Sequence, residues 1–178
     1  LHAGSLLAIL IYFRGELKKI LSLTHEGNNY LKLIIFASIP LPIIGLIFID
    51  FVSVYMRNVH AIAIMTILFA LLLYFADKNR KDNRDILNCS LVVILFIGLM
   101  QTLAIIPGVS RAGIVITAAL FIGFNRDDSI KISFLLSIPA IFMASTYQTM
   151  QLLETSDVVL INEYVLGLLF SFIFSYLT

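Results

Sequence analysis

Long hydrophobic runs alternate with short charged segments along the whole chain. The uncharged runs at 33–49, 61–76 and 132–153 approach the roughly 17–25 apolar residues that a membrane-crossing helix needs. Prolines at 40, 42 and 139 predict kinks or breaks inside two of these runs. Shorter apolar runs at 1–13 and 164–178 are interpreted as helices cut by the ends of the sequence. The pattern therefore predicts an all-α, polytopic membrane protein.

The composition supports this interpretation. The chain is 60% hydrophobic and only 13% charged, against roughly 25% charged in an ordinary soluble domain. So much apolar surface cannot be hidden inside one soluble core of this size. The single cysteine, Cys89, excludes a disulfide within the chain, and no basic cluster with interleaved aromatic residues indicates nucleic-acid binding. We therefore interpret residues 1–178 as one integral membrane domain, partial at both ends.

The basic residues predict which segments face the cytoplasm. Two segments carry four Lys or Arg residues each, 14–32 and 77–85. The positive-inside rule assigns both to the cytoplasm, so the 51–60 connection between two spans lies outside. The acidic segment 154–163 has no basic residue and is also assigned outside. Because one span separates it from the turn at 125–131, that turn is predicted to be cytoplasmic.

Residues 86–124 must then start and end on the same side of the membrane. They either cross twice or form a re-entrant hairpin whose turn lies within the bilayer. The return limb, 112–124, would be only about 20 Å long as a helix, which is too short to cross alone. We favour the hairpin, whose non-helical backbone is tolerated only where protein buries it or a watery cavity bathes it.

Arg111 is the only charged residue between Asp85 and Arg126. A guanidinium at membrane depth costs at least ~2.5–3.5 kcal/mol, and such residues usually line a polar cavity or an ion path. Pro107 ends the incoming helix, and Gly108 lets the backbone reverse.

The residues after this turn predict an anion site. Ser110 is a candidate N-cap for the next helix, and Gly113 allows close approach in its first turn. Helix N-termini and guanidinium groups both favour phosphate. We therefore predict that Gly108, Ser110, Arg111 and Gly113 bind phosphate.

Other functions of these residues remain open. Arg111 could instead snorkel to the interface or pair with a carbonyl at a helix end. Gln101 either steadies the turn or faces a neighbouring helix. Thr117 faces a cavity or bonds its own backbone, and Ser133 backs the cavity or serves helix packing. Together with Pro107, these three residues are the predicted supporting residues.

Two segments around the turn resemble a known family. Residues 98–113 and 132–140 are similar to the second signature of the undecaprenyl-diphosphate phosphatase family linked to bacitracin resistance. That signature reads G-x-x-Q-x-x-A-x-x-P-G-x-S-R-S-G, with F-S-F-L-L-x-I-P-A downstream. Residues 1–8 and the Ser38-Ile39-Pro40 segment also resemble the family, so the likeness runs the length of the chain.

The resemblance implies hydrolysis of undecaprenyl diphosphate to undecaprenyl phosphate and inorganic phosphate, which recycles a carrier lipid for cell-wall synthesis. It implies a bacterial plasma-membrane location, two inverted repeats with a re-entrant hairpin each, and a site that opens to the outer side. It also implies a divalent cation, Mg or Ca. By resemblance, Ser110 and Arg111 are the catalytic residues of this segment.

The chain also departs from the family pattern. The first signature, with its pair of glutamates, is expected before Leu1, and the apolar spans contain no glutamate. Ala112 stands where the family usually has serine, and Val115 where it has threonine. We therefore expect this chain to bind phosphate through Arg111, to supply no metal ligands and to be incomplete for hydrolysis.

Two other classes of function are compatible with the sequence. Inverted repeats with broken helices build transporters, so a lipid-phosphate transporter or flippase-like protein is the alternative, and an inactive remnant is a third. A transporter predicts no phosphate release. The expected partners are a polyprenyl diphosphate lipid and the bilayer, with a homodimer as a candidate assembly and no nucleic acid.

Overall fold

The computed structural model describes residues 2–22, 24–86, 89–154 and 161–177. These residues form helices and no β-strand, so the all-α prediction is confirmed. The helices are α1 His2–Tyr12, α2 Arg14–Leu21, α3 His25–Ser38, α4 Pro40–Tyr55, α5 Val59–Lys78, α6 Leu91–Gln101, α7 Arg111–Ile122, α8 Arg126–Glu154 and α9 Ile161–Leu177. A 3₁₀ helix, Thr102–Ile105, follows α6 directly.

Three helical segments of the described residues are long and apolar enough to cross a membrane: Gly27–Phe48, Val59–Lys78 and Arg126–Met150. The first joins α3 to α4 and breaks at Ile39, as the prolines predict. Most large apolar side chains of α5 are exposed, as expected for a helix whose solvent is lipid. The prediction of a polytopic membrane protein is confirmed.

Several predicted connections are shorter than expected. Residues 14–32 were predicted as a polar connection, but they contain α2 and the start of α3, which Thr24 caps by accepting a hydrogen bond from the Gly27 amide. The 51–60 connection shrinks because α4 continues to Tyr55. The 125–131 turn shrinks because Asn125 Oδ1 accepts from the Asp128 amide and α8 begins at Arg126. Residues 155–160 of the 154–163 loop lie outside the described residues.

The basic segments meet at one end of the bundle, which we call the charged end. Lys131, near the start of α8, lies 3.3 Å from the Glu16 carboxylate of α2. Arg126 donates from Nε to Asp77 Oδ1 at 2.6 Å, which joins the start of α8 to the end of α5. The prediction that segments 14–32, 77–85 and 125–131 share one side is therefore confirmed.

Residues 91–122 form a hairpin that leaves and returns at the charged end. The carbonyl of Gly123, just after α7, accepts hydrogen bonds from the Asn83 and Arg84 amides at 2.9 and 3.1 Å. The incoming limb combines about 16 Å of α-helix with about 8 Å of 3₁₀ helix, and α7 adds about 18 Å of return. Both limbs are shorter than the ~30 Å hydrocarbon core, so the re-entrant hairpin is the geometry that these lengths allow.

The hairpin packs into the core of the protein. Its buried apolar side chains face α3 and α8, and the cluster includes Leu33, Ala37, Ile97, Val115 and Leu136. Gly98 of α6 crosses α3 so closely that an added Cβ would clash with the Ala37 carbonyl oxygen. This packing fixes the hairpin against its neighbours and places its turn at a defined depth.

Candidate functional site

The hairpin reverses through a β-turn at residues 106–109. The Val109 amide donates to the Ile106 carbonyl at 3.1 Å, and Gly108 has φ of +94°. Proline at the second position and a positive φ at the third are the features of a type II turn. A residue with a side chain would be strained at Gly108, so the predicted use of Pro107 and Gly108 to reverse the chain is confirmed.

The turn rests directly on α5. An added Cβ at Gly108 would lie 2.5 Å from the Ile62 carbonyl oxygen and 3.0 Å from Thr66 Oγ1. The Thr66 hydroxyl also lies within hydrogen-bonding distance of the Gly108 carbonyl, at 3.1 Å. Sequence reasoning missed Thr66, although it is the one aliphatic hydroxyl in the apolar run at 61–76.

Ser110 caps α7, as predicted. Its Oγ accepts a hydrogen bond from the Gly113 amide at 3.2 Å, and its carbonyl accepts from Ile114 at 2.9 Å. The amides of Arg111 and Ala112 have no partner among the described residues, as is usual for the first turn of a helix. The Ser110 side chain is exposed and keeps its own O–H for donation. The N-terminus of α7 therefore offers three donors without an acceptor among the residues that the structure describes.

The Arg111 guanidinium reaches across to α8 and α6. Nη1 donates to the Leu136 carbonyl at 2.8 Å and to Gln101 Oε1 at 3.2 Å, and Nη2 donates to the Ser133 carbonyl at 3.3 Å. Every one of these acceptors is neutral, and no carboxylate pairs with Arg111 in the described part of the chain. Arg111 therefore pairs with helix carbonyls, which was one of its predicted alternatives. Among the described residues, this pairing gives its positive charge no counter-ion.

Two of the five guanidinium donors stay uncommitted. The structure describes no partner for Nε–H or for the second Nη2–H of Arg111. Nε and Nη2 share one edge of the planar group, and two parallel N–H donors on such an edge match the oxygens of phosphate. Arg111 is thus anchored by part of its guanidinium and has capacity for an anion on the rest.

A proline lies in α8 close to its contact with Arg111. Pro139 lacks an N–H, so it cannot donate the helical hydrogen bond to the Leu135 carbonyl, four residues earlier. The next carbonyl, that of Leu136, accepts the shortest hydrogen bond from Arg111. Leu136 lies about 15 Å along α8 from Arg126, which is half the thickness of a ~30 Å hydrocarbon core.

Gln101 joins the guanidinium to α3. Its side chain is fully buried, with Oε1 accepting from Arg111 and Nε2 lying 3.5 Å from the Ala37 carbonyl. A neutral amide supplies both an acceptor and a donor, so it satisfies both neighbours at once. The two alternatives for Gln101 are therefore combined, because it steadies Arg111 and contacts a neighbouring helix.

The other supporting residues take different positions. Ser133 is buried beside the turn, where its carbonyl accepts from Arg111 and its hydroxyl donates to the Ala112 carbonyl at 3.3 Å. Thr117 is also buried, but its hydroxyl donates to the Gly113 carbonyl of its own helix at 2.7 Å. The structure thus brings Gln101 and Ser133 together with Arg111 and leaves Thr117 bonded to its own backbone.

The residues around the turn do not fit a divalent cation. Mg²⁺ and Ca²⁺ prefer carboxylate ligands, whereas Arg111 is surrounded by amide and carbonyl oxygens beside a positive charge. The described residues contain no group of three His, Cys, Asp or Glu side chains that would hold a metal. Two cavities, of about 590 and 380 Å³, are lined by residues outside the turn.

The comparisons with known proteins point to one family. The sequence model of the family described as bacitracin resistance protein BacA matches residues 1–178. The chain is 46% identical over 184 residues to a protein of Pelagibacter ubique, covering 100% of this chain and 68% of that protein. It is 40% identical over 185 residues to a protein of Aliivibrio salmonicida, covering 99% of this chain and 69% of that one. Both relatives are named undecaprenyl-diphosphatase. The chain therefore belongs to the bacitracin resistance protein BacA family.

Proposed function

We propose that the intact protein hydrolyses undecaprenyl diphosphate to undecaprenyl phosphate and inorganic phosphate, and that residues 107–113 of this chain bind the diphosphate. The observation that carries the role of this segment is the Arg111 guanidinium, which has no carboxylate partner in the described part of the chain and two N–H donors without a described acceptor. Family membership and the relatives' names support the reaction. The expected lipid-phosphate substrate also suits a protein that spans the membrane.

The donors at the turn lie close together in sequence, and we assign them to one phosphate group. We assign the Nε–H and the free Nη2–H of Arg111 to two phosphate oxygens, because charge-assisted bidentate bonds are the strongest available pairing. The amides of Arg111 and Ala112 add the positive end of α7, and the Ser110 hydroxyl adds a further donor. Together these groups stabilise the charge that accumulates on the transferring phosphoryl group.

Ser110 is assigned as a phosphate ligand. A serine nucleophile needs an adjacent general base, and in the described part of the chain the hydrogen-bond partner of Ser110 Oγ is the Gly113 amide. An amide is a donor and cannot take a proton from the hydroxyl. Capping leaves the O–H free to donate, which suits binding of an anionic oxygen. The divalent cation stays an expectation from the resemblance, and the residues at this turn provide no step through it.

The depth of the turn supports a site that opens away from the charged end. Thr66, which contacts Gly108, lies about 18 Å along α5 from Lys78 and about 10 Å from Val59. The positive-inside rule assigns the basic residues of the charged end to the cytoplasm. We therefore propose that the diphosphate enters from the outer side of the plasma membrane. A homodimer stays a prediction.

Phosphate release from the intact protein tests this proposal. Purified protein is given undecaprenyl diphosphate, and inorganic phosphate is measured for wild type, Arg111→Ala and Arg57→Ala. Arg57 is the matched control, since it is exposed and lies between α4 and α5. We expect Arg111→Ala to lower the rate about 100-fold or more, because two hydrogen bonds to a charged group contribute roughly 1.5–3 kcal/mol each.

The outcomes separate the proposals. Release that Arg57→Ala preserves and Arg111→Ala abolishes supports the assigned site. Release that survives Arg111→Ala at the wild-type rate contradicts the assigned site. If wild type transfers the lipid to the opposite leaflet and releases no phosphate, this contradicts the proposed reaction and favours a transporter.

A further inference from the structure

We propose that Thr66 is a positioning residue that holds the phosphate-binding turn at its working depth from α5. The inference rests on the proposed function, because the turn is taken to be the diphosphate site. Thr66 does not reach Arg111 or Ser110 itself. It acts on the carbonyl of Gly108, two residues before the α7 cap.

Three observations coincide at this contact. The Thr66 hydroxyl lies 3.1 Å from the Gly108 carbonyl. The Gly108 backbone approaches α5 so closely that a methyl group would meet the Ile62 carbonyl at 2.5 Å. Gly108 also has the positive φ that sets the direction of the turn. The hydrogen bond, the close backbone approach and the positive φ thus all involve Gly108 where it contacts α5.

The bonding of Thr66 differs from that of similar threonines in this chain. Thr66, Thr146 and Thr149 each donate to the carbonyl four residues earlier at 2.8 Å. Thr66 alone among these three has a second acceptor, Gly108, on another element. One hydroxyl hydrogen is therefore shared between the α5 backbone and the turn, either as a three-centre bond or by alternation.

This contact matters because Gly108 lies in the non-helical turn of the hairpin, where no helical hydrogen bond is described for its carbonyl. A carbonyl without a partner at membrane depth is unfavourable, so the Thr66 hydroxyl stabilises the one orientation of Gly108 that points its carbonyl at α5. The peptide that follows Gly108 leads to the Ser110 cap, and α7 starts at Arg111. Thr66 from α5 and the Leu136 carbonyl from α8 therefore hold the same short segment from two helices.

Kinetics of three variants test the proposal. Thr66→Val removes the hydroxyl and keeps the shape, Thr66→Ser keeps the hydroxyl, and Thr146→Val is the matched control that loses a hydroxyl bonded only to its own helix. We expect Thr66→Val to lower kcat/KM for phosphate release from undecaprenyl diphosphate about 2–12-fold, the range for one hydrogen bond. Most of the loss should appear in kcat, because misplaced donors meet the transition state poorly. Thr66→Ser and Thr146→Val should stay within about twofold of wild type.

A second measurement does not depend on activity. In protein whose other cysteines are replaced, Ser110→Cys provides one thiol at the turn. Its rate of reaction with a water-soluble methanethiosulfonate reagent should change at least about threefold when Thr66→Val is added, because the turn loses the hydrogen bond that holds it against α5. Adding Thr66→Ser or Thr146→Val should leave the rate unchanged.

If wild type releases phosphate, both the kinetics and the thiol rate must change for the inference to stand. A Thr66→Val protein that matches Thr146→Val in kinetics, or in the thiol rate, overturns it. If wild type releases no phosphate, the proposed function fails, and the thiol rate alone then decides whether Thr66 positions the turn.

Discussion

Gly108→Ala is the substitution that most directly perturbs the turn. The new methyl group would lie 2.5 Å from the Ile62 carbonyl oxygen and 3.0 Å from Thr66 Oγ1, and the residue would keep φ near +94°. A non-glycine residue held in such a region costs about 1–3 kcal/mol. The contact with a backbone carbonyl adds overpacking of about 1–3 kcal/mol, because backbone cannot rotate away as a side chain can.

The sum predicts a loss of about 2–6 kcal/mol, which the protein relieves in part by moving the turn away from α5. We expect a lower midpoint of thermal unfolding, measured by circular dichroism in detergent, together with slower phosphate release. Gly15→Ala is the matched control, since its added Cβ meets nothing within 4 Å. Alanine in the α2 helix should be neutral or stabilising by up to about 1 kcal/mol. Equal midpoints and equal phosphate release for the two variants would refute the packing of Gly108 on α5.

Gly98, Gln101 and Cys89 provide three further tests. Gly98→Ala should lower the midpoint of thermal unfolding measured by circular dichroism, because its Cβ would clash with the Ala37 carbonyl oxygen. An unchanged midpoint would contradict the close α3–α6 crossing. Gln101→Leu should lower kcat/KM for phosphate release about 10–100-fold, because Arg111 loses an acceptor worth roughly 1.5–3 kcal/mol; wild-type kinetics would remove Gln101 from the site. Burial raises the pKa of Cys89 to about 11, so its alkylation by iodoacetamide should be slow at pH 8 and accelerate as the pH approaches 11; a rate that levels off near pH 8.5 would contradict this.

The sequence predicts those features of the fold that depend on local patterns. Span lengths, the break at Pro40 and the Ser110 cap each follow from residue types that lie within a few positions of one another. The common side of the basic segments follows from charge alone. The hairpin was predicted because 86–124 had to start and end on one side, and the Gly123 carbonyl now joins its two ends.

The contacts that build the site were harder to predict. Thr66 and Gly108 are 42 positions apart, and their contact depends on how α5 packs against the hairpin. The choice of the Leu136 carbonyl by Arg111 likewise depends on the crossing of α7 and α8 beside Pro139. The sequence does not predict α2, because eight residues with several charges resemble a loop. The pairing of Glu16 in α2 with Lys131 in α8 forms only in the folded bundle.

Arg111 is expected to bind a lipid diphosphate from within the membrane. Binding of a non-hydrolysable polyprenyl methylenebisphosphonate to the intact protein tests this role separately from hydrolysis. We predict that Arg111→Ala raises Kd at least about 100-fold, because two charge-assisted hydrogen bonds of roughly 1.5–3 kcal/mol each are lost, while Arg57→Ala leaves Kd unchanged. A Kd for Arg111→Ala equal to that of Arg57→Ala would contradict the account.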